Sequence, residues 1–114
     1  MSSILEDVKK GIGPSVTYSV FDDELIMHIN SVLFELNQLG IGSEDPFVVE
    51  SADDEWDSFL ENNNVEAVKT FVILKCKMYF DPPTSGVLVN AINEQLKELT
   101  WRLNVAVDPG ETNE

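Results

Sequence analysis

Basic residues are scarce in this chain, and from residue 11 to residue 68 they are missing: that stretch holds thirteen Asp and Glu and no Lys or Arg. Over all 114 residues, 21 acids face 7 bases, for a net charge of −14. Such a surface repels both free DNA and an anionic membrane. Cys76 is the single cysteine, which excludes an intrachain disulfide and a cysteine metal site. No glycine-rich phosphate loop occurs. Residues 1–10 lack the apolar centre of a signal peptide. The longest apolar stretch, residues 65–80, is interrupted by Lys69, Lys75 and Lys77 and is shorter than the ~20 residues of a membrane span. These absences lead us to expect a soluble protein of a reducing compartment, with no membrane partner.

What is present is apolar and helically spaced. The apolar fraction is 43%, enough for one core in a single domain. Ser3-Ile4-Leu5-Glu6 reads as a capping box opening a short first helix, which the cluster Gly11-Ile12-Gly13-Pro14 should end. Asp22 suits the N-cap of a second helix, with Asp23 and Glu24 in its positive first turn. Phe21 is placed to staple onto Ile26. Leu25, Ile29, Val32, Leu33 and Leu36 then form one face, and Gly40 sits where a left-handed C′ residue belongs. A long loop follows, in which Phe47-Val48-Val49 is too short for a confident strand. Ser51 is expected to cap a short third helix with Asp53, Asp54 and Glu55 in its first turn and Trp56, Phe59 and Leu60 on its apolar side. Asn62-Asn63-Asn64 breaks it, and Asn64 can cap the next.

Residues 65–80 are apolar almost all round, with Glu66, Thr70 and Lys77 as the polar wedge, so this fourth helix should be the central post of the domain. Pro82 and Pro83 force extended backbone on the residues before them. The post must therefore end near Phe80, and Pro82-Pro83 is a stiff structural corner. Thr84 or Ser85 can cap a fifth helix over 87–105, whose core stripe is Leu88, Ile92, Leu96, Leu99 and Leu103. The fold class is then all-α: a small bundle of about five helices, with a long loop between the second and fourth. The domain spans 1–105, and 106–114 form a mobile acidic tail.

No catalytic constellation emerges. His28 lies on the shoulder of a core stripe with no nucleophile at matching spacing, and Cys76 faces inward on the post. A calcium loop starting at Asp53 needs Gly in its sixth position and Glu in its twelfth, where this chain has Ser58 and Asn64. We therefore expect no catalytic, cofactor or metal residues, and no enzyme. Misplaced apolar residues are more informative. Trp101 lies about half a turn off the fifth helix's stripe, among Asn90, Glu94 and Lys97, with Arg102 beside it. Met27 and Phe34 lie opposite the stripe of the second helix. Either other helices of the chain cover these residues, or they anchor a partner, since aromatics and methionine are enriched in interface centres. The charge adds a second hint: residues 69–105 hold five bases against three acids. A bipolar molecule of this kind can set its acidic part against the basic part of the next copy, and such heterologous contacts close into rings.

Several stretches together resemble the tailed-bacteriophage head–tail connector family. They are Ile4-Leu5-Glu6-Asp7-Val8-Lys9-Lys10, Phe21 through Ser31, Leu36-Asn37-Gln38-Leu39-Gly40, Val68-Lys69-Thr70, Phe80-Asp81-Pro82-Pro83-Thr84-Ser85, Glu94 through Leu99, and Trp101-Arg102-Leu103-Asn104. The most distinctive is Phe80–Ser85 followed by a helix ending in Trp101-Arg102-Leu103. The resemblance implies a structural protein of the virion neck, made in the host cytoplasm. Adaptor subunits of this kind form a ring beneath the portal protein, of about twelve copies, and are monomers before docking. The ring extends the channel through which double-stranded DNA passes without sequence-specific binding, and it meets the next neck or tail-completion protein. Candidate interface residues are Trp101, Met27, Phe34, Lys97, Glu94 and Arg102. The alternative from composition is an acidic DNA mimic that occupies the groove of a DNA-binding protein. The acids here gather at helix starts and loops rather than in a phosphate-like row.

Overall fold

The computed structural model describes residues 3–13, 19–41, 48–59 and 65–107. Among these the chain is all-helical. Four helices, α1 (Ile4–Ile12), α2 (Asp22–Gln38), α4 (Val65–Phe80) and α5 (Gly86–Val107), are joined by a single helical turn, α3 (Trp56–Phe59), and by a 3₁₀ turn at Ser19–Phe21.

Local chemistry sets the ends. Ser3 Oγ accepts from the Glu6 amide at 3.3 Å, which satisfies one free donor at the start of α1. Gly13 closes that helix at φ 129°, its amide donating to the Lys9 carbonyl. At the end of α2, Gly40 takes φ 89°. Its amide reaches the Asn37 carbonyl, and the Ile41 amide reaches the Leu36 carbonyl, each at 3.0 Å. This is a complete Schellman motif, which needs a residue tolerant of the left-handed region at that position. The post ends at Phe80, where the double proline requires it. Ser85 then caps α5, its Oγ accepting from the Leu88 amide at 3.4 Å.

Three expectations about ends are corrected. Phe21, not Asp22, occupies the N-cap of α2 and makes no side-chain cap bond. Asp22 lies inside the helix, where its carboxylate accepts from Lys9 at 2.8 Å. The Phe21 ring meets Phe80 edge-on, with centroids 5.3 Å apart, tying the start of α2 to the end of α4. The third helix is one turn beginning at Trp56, without the cap at Ser51. Asp54 turns its carboxylate back to the Glu50 and Ser51 amides at 2.8 and 3.3 Å, and Ser51 Oγ takes the Asp53 amide at 3.1 Å. Asp54 and Ser51 satisfy a tight turn instead of a helix start. The readings of Pro14, Phe47, Leu60, Asn62-Asn63-Asn64 and residues 108–114 lie outside the described residues. The fifth helix continues past 105 to Val107.

The post is central. α1, α2 and α5 all pack on α4, through Val68, Phe71, Val72 and Cys76, all buried. From α1 come Ile4, Leu5, Val8 and Ile12, and from α2 the whole expected stripe, Leu25, Ile29, Val32, Leu33 and Leu36. The segment 48–59 lies across this core. Trp56 and Phe59 are fully buried, and the Ile4 amide donates to the Asp54 carbonyl at 3.0 Å. Val49 is held by Asn30, whose amide group donates to the Val49 carbonyl at 3.1 Å and accepts from the Val49 amide at 2.8 Å. One side chain thus replaces the neighbouring strand that an extended residue would otherwise need.

On α5 only the later part of the expected stripe is covered. Leu96, Leu99 and Leu103 are buried and Ile92 is partly so, but Leu88 is 54% exposed. Burial along the stripe thus begins only beyond Leu88.

Candidate functional site

Of the exposed large apolar residues, Val20 precedes α2, Val48 lies in the 48–59 segment and Tyr79 is on α4; the others fall on α2 and α5, which flank the post. On α2, Met27 and Phe34 are 64% and 56% exposed. Seven residues apart, they lie on one line along the helix, with Ser31 exposed between them and Asp23 and Glu24 exposed at its N-terminal end. On α5, Trp101 is 66% exposed. Glu94 and Lys97 share its side of the helix, both exposed and paired at 3.4 Å. Arg102 is also exposed and grips Glu98 at 2.7 Å. All six candidate interface residues are therefore at the surface, divided between two faces. None of the other described helices covers them.

Sequence reasoning missed part of this surface. Val87 is 79% exposed, and Leu88, assigned to the core, joins it. Residues 86–93 read Gly-Val-Leu-Val-Asn-Ala-Ile-Asn, two helical turns without a charge. Their signal is an absence: α1, α2 and α4 all carry acid in the first turn, and α5 carries none.

The strip joining the two faces is polar and internally satisfied. Lys75 on α4 pairs with Glu35 on α2 at 3.4 Å and stands over the Tyr79 ring at 5.9 Å. Tyr79 donates to Glu35 at 3.3 Å and lies against His28, with ring centroids 5.6 Å apart. His28 in turn sits 3.7 Å from Glu24. An open groove of about 420 Å³ between α4 and α5 is lined by Lys75, Asn93, Leu96, Lys97 and Thr100. Its polar atoms are two lysine heads, an amide and a hydroxyl already bonded to the Leu96 carbonyl at 2.8 Å. It offers no paired acid and base for proton transfer.

Cys76 is fully buried, and burial pushes its thiol up to about 12, far from the range of a nucleophile. Among the described residues no group of three His, Cys, Asp or Glu side chains is placed to hold a metal ion, and no helix is long and apolar enough to cross a membrane.

The expected basic sector is corrected by the pairing pattern. Lys69 reaches Asp7 at 3.4 Å, Lys75 and Lys97 are paired as above, Arg102 holds Glu98, and Lys77 donates to the Ile12 carbonyl at 3.4 Å. Bases that cluster in sequence are spread over the fold, four of them paired with acids of the same chain and Lys77 with a backbone carbonyl, so among the described residues they form no unpaired basic face.

Compared with known proteins, the chain matches the family model described as phage connector protein over residues 4–110. No curated protein and no solved structure matches.

Proposed function

Because this chain belongs to the phage connector protein family, we propose that it is an adaptor subunit of the virion neck. It stands beside copies of itself in a ring beneath the portal, prolongs the DNA channel and offers a seat to the next neck or tail-completion protein. The observation that carries this reading is the placement of the uncovered anchors on two different flanks of the post, Met27 and Phe34 on α2 and Trp101 on α5. Two unlike faces on one subunit are what a head-to-tail cyclic contact requires. Exposed aromatics and methionine supply the desolvated centre of such a contact. The charge of −14 suits a conduit wall, because it repels phosphate and lets DNA slide.

The role is structural, and its test is an assembly test. Native mass spectrometry of the purified chain, with and without the portal, should show a ring that appears with the portal. Trp101→Ala should leave monomer stability within about 0.5 kcal/mol of the parent, as an exposed position does, while the ring is lost. A ring unaffected by the substitution would remove Trp101 from the interface. No ring in either condition would contradict the function.

A further inference from the structure

The start of α5 is an anomaly for an acidic protein. The two helical turns after the corner, 86–93, hold Val87 and Leu88 in solvent, Val89 and Ile92 half-buried, and no charge. A helix N-terminus carries about half a positive charge and favours acids nearby. Ser85 already caps this one, and Leu88 stands where Glu would complete a capping box. The first helix uses that device, with Ser3 and Glu6. With 21 acids in the chain, α5 nonetheless has none in its first turn. A helix start kept apolar and free of negative charge suits a neighbour that brings both an apolar surface and the missing acids.

One surface of this same chain has that chemistry. On α2, Met27 and Phe34 span about 10 Å of helix at 1.5 Å per residue, and 86–93 span the same length. Asp23 and Glu24 stand exposed at the N-terminal end of the Met27–Phe34 line, close enough to face a helix N-terminus laid along it. α2 and α5 occupy different flanks of α4, so one copy offers the helix start on one side and its acceptor on the other.

We propose that the first two turns of α5 seat on the Met27–Phe34 face of α2 in the adjacent copy, with the positive helix end against that copy's Asp23 and Glu24. The pairing rests on the ring reading and adds its polarity: α5 of each subunit points into α2 of the next. Lys and Arg take no part, because the positive side of the contact is backbone dipole.

Disulfide trapping in assembled particles tests it. Met27→Cys and Val87→Cys are made singly and together, because a helix start laid against Asp23 and Glu24 brings Val87 to the Met27 end of the line, within disulfide reach; Cys76 is left in place because it is buried. Under mild oxidation the double variant should give a ladder of linked oligomers. Particles carrying a mixture of the two single variants should give linked dimers, and either single variant alone should give none. If the chain is present in the particles but the double variant gives no ladder, the pairing is wrong while the neck reading stands. If the chain is absent from the particles, the neck reading itself fails. Dimers from Val87→Cys alone would mean that α5 meets α5, and would overturn the pairing. Leu88→Glu is the independent check. It completes a capping box, so the monomer should melt no lower than the parent, yet it sets a carboxylate against the acidic rim. Incorporation into particles should fall at least tenfold. Normal incorporation would contradict the proposal.

Discussion

Asp7 joins three elements through one carboxylate. It accepts from Trp56 Nε1 at 2.8 Å and lies 3.4 Å from Lys69, so α1, α3 and α4 meet on it. That Trp56 lies on an apolar side was legible in the sequence. Its bond to Asp7 was not, because 49 positions separate them and no local rule links a helix-start acid to a distant indole. Asn30 holding Val49 escaped for the same reason. Asp7→Ala leaves a fully buried indole donor unsatisfied, which costs about 1–3 kcal/mol. Asp7→Asn keeps an acceptor and should lose less. Urea denaturation of both variants checks this, and equal losses would shift the weight to the Lys69 pair. Cys76 gives a pH test. Its thiol is raised from 9.0 to about 12 in the folded chain, so the fold favours the protonated form. The stability linked to it is fully present below pH 9 and is lost as pH climbs from about 9 toward 12. At pH 8 a thiol reagent should label Cys76 only after denaturant is added. Rapid labelling of native protein would contradict the burial.

Among the elements, those with strong periodicity were readable, and those governed by tertiary approach were not. α4 runs over the residues its pattern gave, because a nearly all-apolar helix has no other way to hide its surface. Ser51 failed as a helix cap because its hydroxyl and the Asp54 carboxylate bond the amides of a local turn. Leu88 misled because helical spacing tells which side a residue is on, but not whether another helix reaches that far. Gly11 is a second case of approach. Its Cβ position is already occupied by the Ile73 side chain, so α1 comes close to α4 there. Gly11→Ala should gain up to about 1 kcal/mol of helix propensity and lose about 1–3 kcal/mol to overpacking. The expected net is a lower melting temperature, read by calorimetry. A stabilised variant would mean that Ile73 yields easily. The corner is testable in the same way. Pro82→Ala with Pro83→Ala should raise amide exchange through the first turns of α5, and unchanged protection would show that Ser85 alone fixes the direction.

As a whole, the molecule measures 48 by 35 by 20 Å, a flattened body suited to lateral packing. Its charge was legible as a total but not as a map. The run of bases after residue 68 suggested a positive sector, and four of those five bases are paired with Asp7, Glu35, Glu94 and Glu98. The exposed apolar residues on α2 and α5, with the acids at the start of α2, carry the proposed contact between copies. A reconstruction of the neck from intact particles bears on it most directly. The expected map has this chain in a closed ring under the portal, each copy presenting the start of α5 to α2 of its neighbour. Particles whose neck lacks the chain, or a ring in which Met27, Phe34 and Trp101 all face open solvent, would contradict it.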